Sequence, residues 1–270
     1  MPITHRLLPP FPAAMPIPHT VATELLELGA RRAIRVSAQF ACALVLWLPL
    51  ATVSGQGAGN SGSRLTLDAK TKLTLINTDA RWTDYRGRRA LHLTPPAGHE
   101  NGHNEEMVAV LDESDFQDGT IEVDVAGARR PGYSTVIDTS GFKGFVGISF
   151  RIQDKNAERF YIRPENSRVD DQLFRNRATQ YESDPDFAWR RLRAESPGVY
   201  ESYVDLAPGA WTHLKIEVSG TTARLYVNRA AQPCLVVTDL KHGISRGKIA
   251  LWTHVSSDAY FSNLAVRATQ

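Results

Sequence analysis

Between residues 119 and 267 the chain is written in short stretches where apolar and polar side chains alternate. Gly119-Thr-Ile-Glu-Val-Asp-Val125 sets Ile121, Val123 and Val125 against Thr120, Glu122 and Asp124, and Asp118-Gly119 supplies the turn before it. The run 144–152 puts Val146, Ile148, Phe150 and Ile152 on one face, with Phe145, Gly147, Ser149 and Arg151 on the other. A polar turn over 153–157 leads into 158–163, where Phe160 and Ile162 oppose Arg159, Tyr161 and Arg163. The run 211–218 alternates cleanly, Ser219-Gly220 turns it into 222–228, and 235–238, 248–253 and 259–267 complete the series. A two-residue period is that of a strand with one buried face.

Strands at such short intervals, with turn residues between them, predict an antiparallel structure. A parallel sheet would need helical crossovers of about a dozen residues, and the sequence has no room for them. The fold class expected is all-β: a two-sheet antiparallel jelly-roll sandwich. The segment 164–200 breaks the pattern. It is rich in polar and aromatic residues but shows little alternation, so it is expected as one long irregular excursion folded over a sheet face.

The N-terminal part reads differently. Arg31, Arg32 and Arg35 precede an uncharged apolar run over 40–53, and small residues follow at Ser54, Gly55 and Gly57. This order matches a secretory signal peptide cleaved before Gln56. The apolar run, about 14 residues, is short of the roughly 20 a spanning helix needs. The organisation expected is an N-terminal extension and signal peptide over 1–55, a flexible linker over 56–63, and one domain over 64–270, secreted or periplasmic. Net charge is +2, and the four arginines and two glutamates of 1–55 account for it, leaving a neutral body. That balance gives no electrostatic basis for nucleic acid, or for a membrane once the signal is removed. Cys234 is then the one cysteine of the body. It stands in an apolar run and reads as a buried, inert thiol.

With the strands in place, a resemblance appears. Phe116-Gln-Asp-Gly-Thr-Ile-Glu-Val-Asp-Val125, Gly147-Ile-Ser-Phe-Arg151, Trp211-Thr-His-Leu-Lys-Ile-Glu-Val218, Arg224-Leu-Tyr-Val-Asn228, Gly247-Lys-Ile-Ala-Leu-Trp252 and Ala259-Tyr-Phe-Ser-Asn-Leu-Ala-Val266 resemble the strand series of the concanavalin A-like lectin/glucanase superfamily. The laminin-G-like and DUF1080 (3-keto-disaccharide hydrolase-like) branches are nearest. The resemblance implies a jelly roll whose concave face meets carbohydrate, and a structural calcium is possible, with ligands the sequence does not define. Two family signatures are missing. Glu122-Val-Asp124 lacks the third acid of the glucanase Glu-x-Asp-x-x-Glu, and Asn60-Ser-Gly62, which matches the DUF1080 motif, lies in the linker rather than a strand.

Several groups carry candidate chemistry. His99-Glu-Asn-Gly-His103 matches the zinc-peptidase string, but that chemistry needs a helix, and Pro95, Pro96, Gly98 and Asn101-Gly102 give turn composition. Asp112, Asp115 and Asp118 are spaced by three rather than the two of a calcium loop, and read as a turn before a strand. No metal site or cofactor is therefore assigned. The stronger constellation is Arg151, Tyr161 and Arg163, which share a sheet face by parity, with Gln180, Tyr181, Trp189, Arg193, Tyr200 and Glu201 placed to line its rim. Aromatic rings stack on sugar C–H faces, and planar Arg and Gln side chains bond hydroxyls in pairs. The competing reading is an ion-pair network in which Asp170, Asp171, Glu182, Asp184, Asp186, Glu195 and Glu201 tie the excursion down. Glycoside cleavage would need two carboxylates about 5–9 Å apart. Glu201, Asp171 and Glu158 are the foremost candidates among the acids of this region.

Three functions follow from these residues. The first is an exported domain that binds a carbohydrate on its concave face. The second is a glycoside hydrolase or lyase acting at the same face, and the third is a structural or protein-interaction sandwich.

Overall fold

The computed structural model describes residues 64–100, 106–133 and 144–269. The leader, the linker and most of the His99–His103 string lie outside the described residues. So do the expectations of a signal peptide and, over residues 101–103, of a turn rather than a zinc site. The described residues belong to one unit, Gly57–Gln270.

In chain order the strands are β1 (Arg64–Thr66), β2 (Leu73–Ile76), β3 (Asp79–Tyr85), β4 (Arg88–Thr94), β5 (Glu106–Phe116), β6 (Asp118–Arg129), β7 (Val146–Gln153) and β8 (Asn156–Ile162). They are followed by helix α1 (Gln172–Arg175), β9 (Thr179–Asp184), helix α2 (Trp189–Glu195), β10 (Glu201–Ser202), β11 (Thr212–Ser219), β12 (Thr222–Val227), β13 (Leu235–Val237), β14 (Gly247–His254) and β15 (Ser257–Thr269). The first sheet runs β13-β12-β11-β6-β15-β4-β3, with β1 also on β15; the second runs β10-β9-β8-β7-β14-β5-β2. The pairings are antiparallel throughout. The two-sheet sandwich expected from the alternation is what the structure has.

One core joins the sheets. Ile121, Val123 and Val125 of β6, Leu214 and Ile216 of β11 and Phe261 of β15 pack with Val146, Ile148 and Phe150 of β7, Phe160 of β8 and Leu251 of β14. These are the apolar positions of the alternating runs. Each fully buried side chain of this size contributes roughly 1.5–3 kcal/mol relative to leaving it exposed. Phe150 and Phe160 stack across the β7–β8 pair, and Phe116 meets Phe150 edge-on.

The segment 164–200 is less irregular than expected. Its centre is β9, a full member of the second sheet paired with β8 from Ala157↔Asp184 to Ile162↔Thr179. The excursion thus widens the sheet. A 3-10 turn at Pro164–Asn166, the short α1, and α2, which is packed on β9, interrupt it.

Parity also fails at one point. Arg151 has φ +53°, and the registers of β7 with β8 and of β7 with β14 both shift around it. This bulge turns the strand, so residues after Phe150 no longer follow the alternation of those before it.

Gly147 shows why the second sheet can carry bulky groups on its outer side. It stands between Tyr161 of β8 and Trp252 of β14 in register. A Cβ there would run into the Phe160 carbonyl and the Tyr161 backbone. Gly147→Ala is therefore expected to lower the unfolding free energy by about 2–3 kcal/mol, measured by urea unfolding.

Candidate functional site

Strand parity sends Arg159 and Tyr161 of β8, Gln180, Glu182 and Asp184 of β9, and Trp252 of β14 to the outer face of the second sheet. Glu106 reaches them from the start of β5, Glu201 from β10, and α2 adds Trp189 and Arg193.

Arg159 is the centre. Its side chain is 3% exposed. Nε donates to Ser149 Oγ at 2.9 Å, Nη1 to Glu182 at 2.6 Å and to Glu106 at 2.8 Å, and Nη2 to Glu106 at 2.9 Å and to Asp184. Those five contacts match the five N–H donors of a guanidinium. The cation also lies 4.6 Å from the centre of the Trp252 ring. Against the desolvation of its burial, Glu182, Glu106 and Asp184 push the pKa of Arg159 above its usual value. Three carboxylates on one guanidinium leave two formal negative charges. Asp184 responds: burial first, and the neighbouring Glu106 and Glu182, lift its pKa to about 6 in spite of Arg159.

A second group lies beside it. Tyr161 tilts against Trp252 at 4.7 Å and meets Phe145 edge-on, and burial pushes its phenol pKa up. Its hydroxyl accepts from Arg163 Nη2 at 2.8 Å. Arg163 also donates to Gln180 Oε1 and to the Arg177 carbonyl, each at 3.0 Å. Gln180 passes the contact on to the Tyr181 and Tyr200 carbonyls. Glu201, opposite Gln180, takes Arg193 through two nitrogens, and Arg177 lies 3.5 Å away. The Trp189 amide donates to Glu182 at 3.2 Å, and its ring lies under Arg193 at 4.6 Å.

Tyr161, Arg163, Gln180, Trp189, Arg193 and Glu201 are therefore brought together. Five expected members are elsewhere. The bulge sends Arg151 away from Tyr161 and Arg163, into a cage of the Gln117, Gly220 and Gly243 carbonyls and Asp118. Tyr181 follows Gln180 by one residue, so it points into the core, where its hydroxyl donates to the fully buried Glu158 at 2.6 Å. Glu158 faces the core for the same reason of parity. Tyr200 packs on Tyr181 and donates to Asp239. Asp171 caps α1 through the Leu173 and Phe174 amides. Asp112, Asp115 and Asp118 take separate partners in Thr74, Arg246 and Arg151.

The sequence reading missed Arg159, Glu106, Glu182, Asp184 and Trp252 as a unit. The parity of β8 already placed Arg159 beside Tyr161. Nothing comparable marked Glu106, which lies across the sheet. Oxygens of Glu106, Glu182 and Asp184 lie within 4.8 Å of one another, a spacing suited to a cation. Arg159 holds that place with its own charge. The outer face of the first sheet carries a different arrangement: Tyr85, Tyr260 and His92 stack in series at 3.7 and 4.2 Å, and buried Asp124 accepts from Arg88, His213 and Asn263.

No family model and no curated protein matches the chain. Similar solved structures include the carbohydrate binding module CBM66 from Bacillus subtilis, 13% identical over 70% of this chain and 92% of that one, TM-score 0.45. Another is the VIP36 exoplasmic/lumenal domain in its Ca2+/Man3GlcNAc-bound form, 10% identical over 73% and 83%, TM-score 0.45. A third is domain 4 of AbnA, a GH43 extracellular arabinanase from Geobacillus stearothermophilus in complex with arabinotriose, 14% identical over 73% and 82%, TM-score 0.41. With scores below 0.5, what the face does has to be read from its own residues.

Two outcomes follow from this geometry. Arg151→Met should cost about 3–5 kcal/mol of stability in urea unfolding, because it takes the donor from the Gln117, Gly220 and Gly243 carbonyls and the cation from Asp118, which keeps only the Gly220 amide and Gln117. The Asp184 carboxyl has an ordinary pKa of 3.8 when unfolded and about 6 when folded. The folded state then holds the extra proton between pH 4 and 6, so stability falls as pH rises through that window. A loss of about 2 kcal/mol is expected across it, and Asp184→Asn should flatten the slope in melts run at successive pH values.

Proposed function

We propose that this chain is an exported carbohydrate-binding β-sandwich whose ligand face is the outer side of the second sheet, around Glu106, Asp184, Trp252 and Tyr161. One observation carries the reading. Carboxylates fixed by a saturated arginine stand beside aromatic rings, and the indole N–H of Trp252, a residue 3% exposed, has no hydrogen-bond partner among the described residues. The Glu106 and Asp184 side chains are 39% and 28% exposed, so acceptors with free lone pairs face outward while Arg159 and Glu182 are shut away. Immobile, partly exposed acceptors suit the hydroxyl groups of a sugar, and pre-organised groups lose little entropy on binding. Export is supported by the basic residues 31–35, the apolar run 40–53 and the small residues after it.

A hydrolytic reading is favoured by a specific feature, the convergence of Glu106, Glu182 and Asp184 with Asp184 able to hold a proton near pH 6. One experiment addresses both. A glycan array and titration calorimetry with wild type, Glu106→Gln and Trp252→Phe should show binding by wild type and at least a tenfold loss in each variant, with unchanged circular dichroism. Product analysis of the same mixtures reports cleavage. A wild type that binds no glycan overturns the proposal.

A further inference from the structure

We infer that this face takes glycans bearing an acidic group, a carboxylate or a sulfate ester, which docks on Arg177 and Arg193. The inference rests on the carbohydrate-binding reading above and names the class of sugar.

Charge is divided along β8. At one end Arg159 serves three carboxylates. At the other, Arg163, Arg177 and Arg193 gather around Glu201, with Arg163 bonded to the Arg177 carbonyl. Three guanidinium groups on one carboxylate leave two formal positive charges. Arg159 and Arg163 are four strand residues apart, about 13 Å, with Tyr161 between them, so the two ends do not cancel. The acids that could have neutralised the arginines are held elsewhere. Glu182 accepts from Arg159 and from the Trp189 amide, Glu195 pairs with Arg191, and Asp205 pairs with Arg168. Among the described residues, Glu201 alone forms an ion pair with Arg177 or Arg193.

The acidic end is filled by its arginine, whereas the basic end is open. Arg193 gives Nε and Nη2 to Glu201, and its Nη1 has no partner among the described residues. Arg177 approaches Glu201 through Nε at 3.5 Å, and that buried N–H makes no hydrogen bond. Its Nη1 and Nη2 donate to no described residue. The Arg177 and Arg193 side chains are 20% and 21% exposed, while Glu201 beneath them is 8% exposed. Burial and then repulsion from Arg193 hold the Arg177 pKa below its usual value, with Arg163 adding to the repulsion and Glu201 opposing it. On α2, Arg190 stands 5.0 Å from the Trp189 ring, which Arg193 also meets, and has no carboxylate partner among the described residues.

An oxyanion completes this arrangement. Paired oxygens match the parallel N–H groups of a guanidinium, and Glu201 already binds Arg193 in that manner. A second anion meets the surplus charge that Glu201 leaves, which neither a neutral sugar nor an amine can do. The site is continuous with the sugar face. Arg163 donates to the Tyr161 hydroxyl at 2.8 Å, and Tyr161 packs on Trp252. One oligosaccharide can therefore place hydroxyls at Glu106 and Asp184 and its acid at Arg177.

The test uses the full chain on an array of uronate oligomers, sulfated oligomers and neutral oligomers of the same backbone and length, followed by calorimetry on the matched pairs and on inorganic sulfate. The acidic member of a pair should bind about tenfold tighter or more, and the class retained shows whether the acid is a carboxylate or a sulfate ester. Arg177→Gln should remove that preference in protein whose melting curve shows it folded. A preference that survives the substitution overturns the placement. In wild type the preference should also shrink as salt is raised, a readout that needs no variant, and a preference indifferent to salt overturns the ionic contact. Equal or tighter binding of the neutral oligomers overturns the inference and leaves the carbohydrate reading standing. Inorganic sulfate that binds as tightly as the acidic oligomers removes the sugar from it. An array that retains nothing overturns both readings.

Discussion

A guanidinium shut away from water needs a partner for every N–H, and the outer face of the second sheet is arranged around that requirement. Arg159 draws on Ser149 of β7, Glu182 and Asp184 of β9 and Glu106 of β5. Removing any one partner would leave a buried donor or an excess charge, either of which costs more than the pair itself contributes. The arginine therefore fixes the acids more than it neutralises them. It gives the face its rigidity, and the three carboxylates it holds supply the surplus of negative charge.

The same strands make a face and a core at once because they alternate. On β8, Phe160 and Ile162 go inward while Arg159 and Tyr161 go outward; on β9, Tyr181 goes inward between Gln180 and Glu182. One consequence is that Glu158 enters the interior with Tyr181 and must be satisfied there. The Tyr181 hydroxyl and the His242 amide do so. That arrangement ties the loop ahead of β14 to the middle of the second sheet. The small residues Gly147 and Ser149 of β7 leave the space over which Tyr161, Trp252 and Arg159 meet.

How much of this was legible depends on what each strand faces. β6, β7, β8, β11, β12 and β15 have an apolar side toward the core and a polar side outward, so their period is plain in the sequence. β9 is covered on both sides, and its inward residues include the polar Thr179 and Ser183; its alternation is invisible to hydrophobicity. β5 hides for the opposite reason. Val108 and Val110 on its outer face are as apolar as Met107 and Ala109 on the inner, and the two-residue period is lost. The Arg151 bulge could not be read at all, since a positive φ at a non-glycine residue leaves no mark in composition. It moved the most prominent predicted ligand residue away from the face, while Arg159, two residues before Tyr161 and in phase with it, took the central place.

The position of β15 has a consequence for how the molecule is made. Ser257–Thr269 lies inside the first sheet, between β6 on one side and β4 and β1 on the other. Until those residues have left the ribosome, the strands that precede them form two unjoined halves with bare edges. The sandwich can therefore close only after nearly all of the described chain has been synthesised. Under the export proposed above, translocation would meet the chain while it is still open.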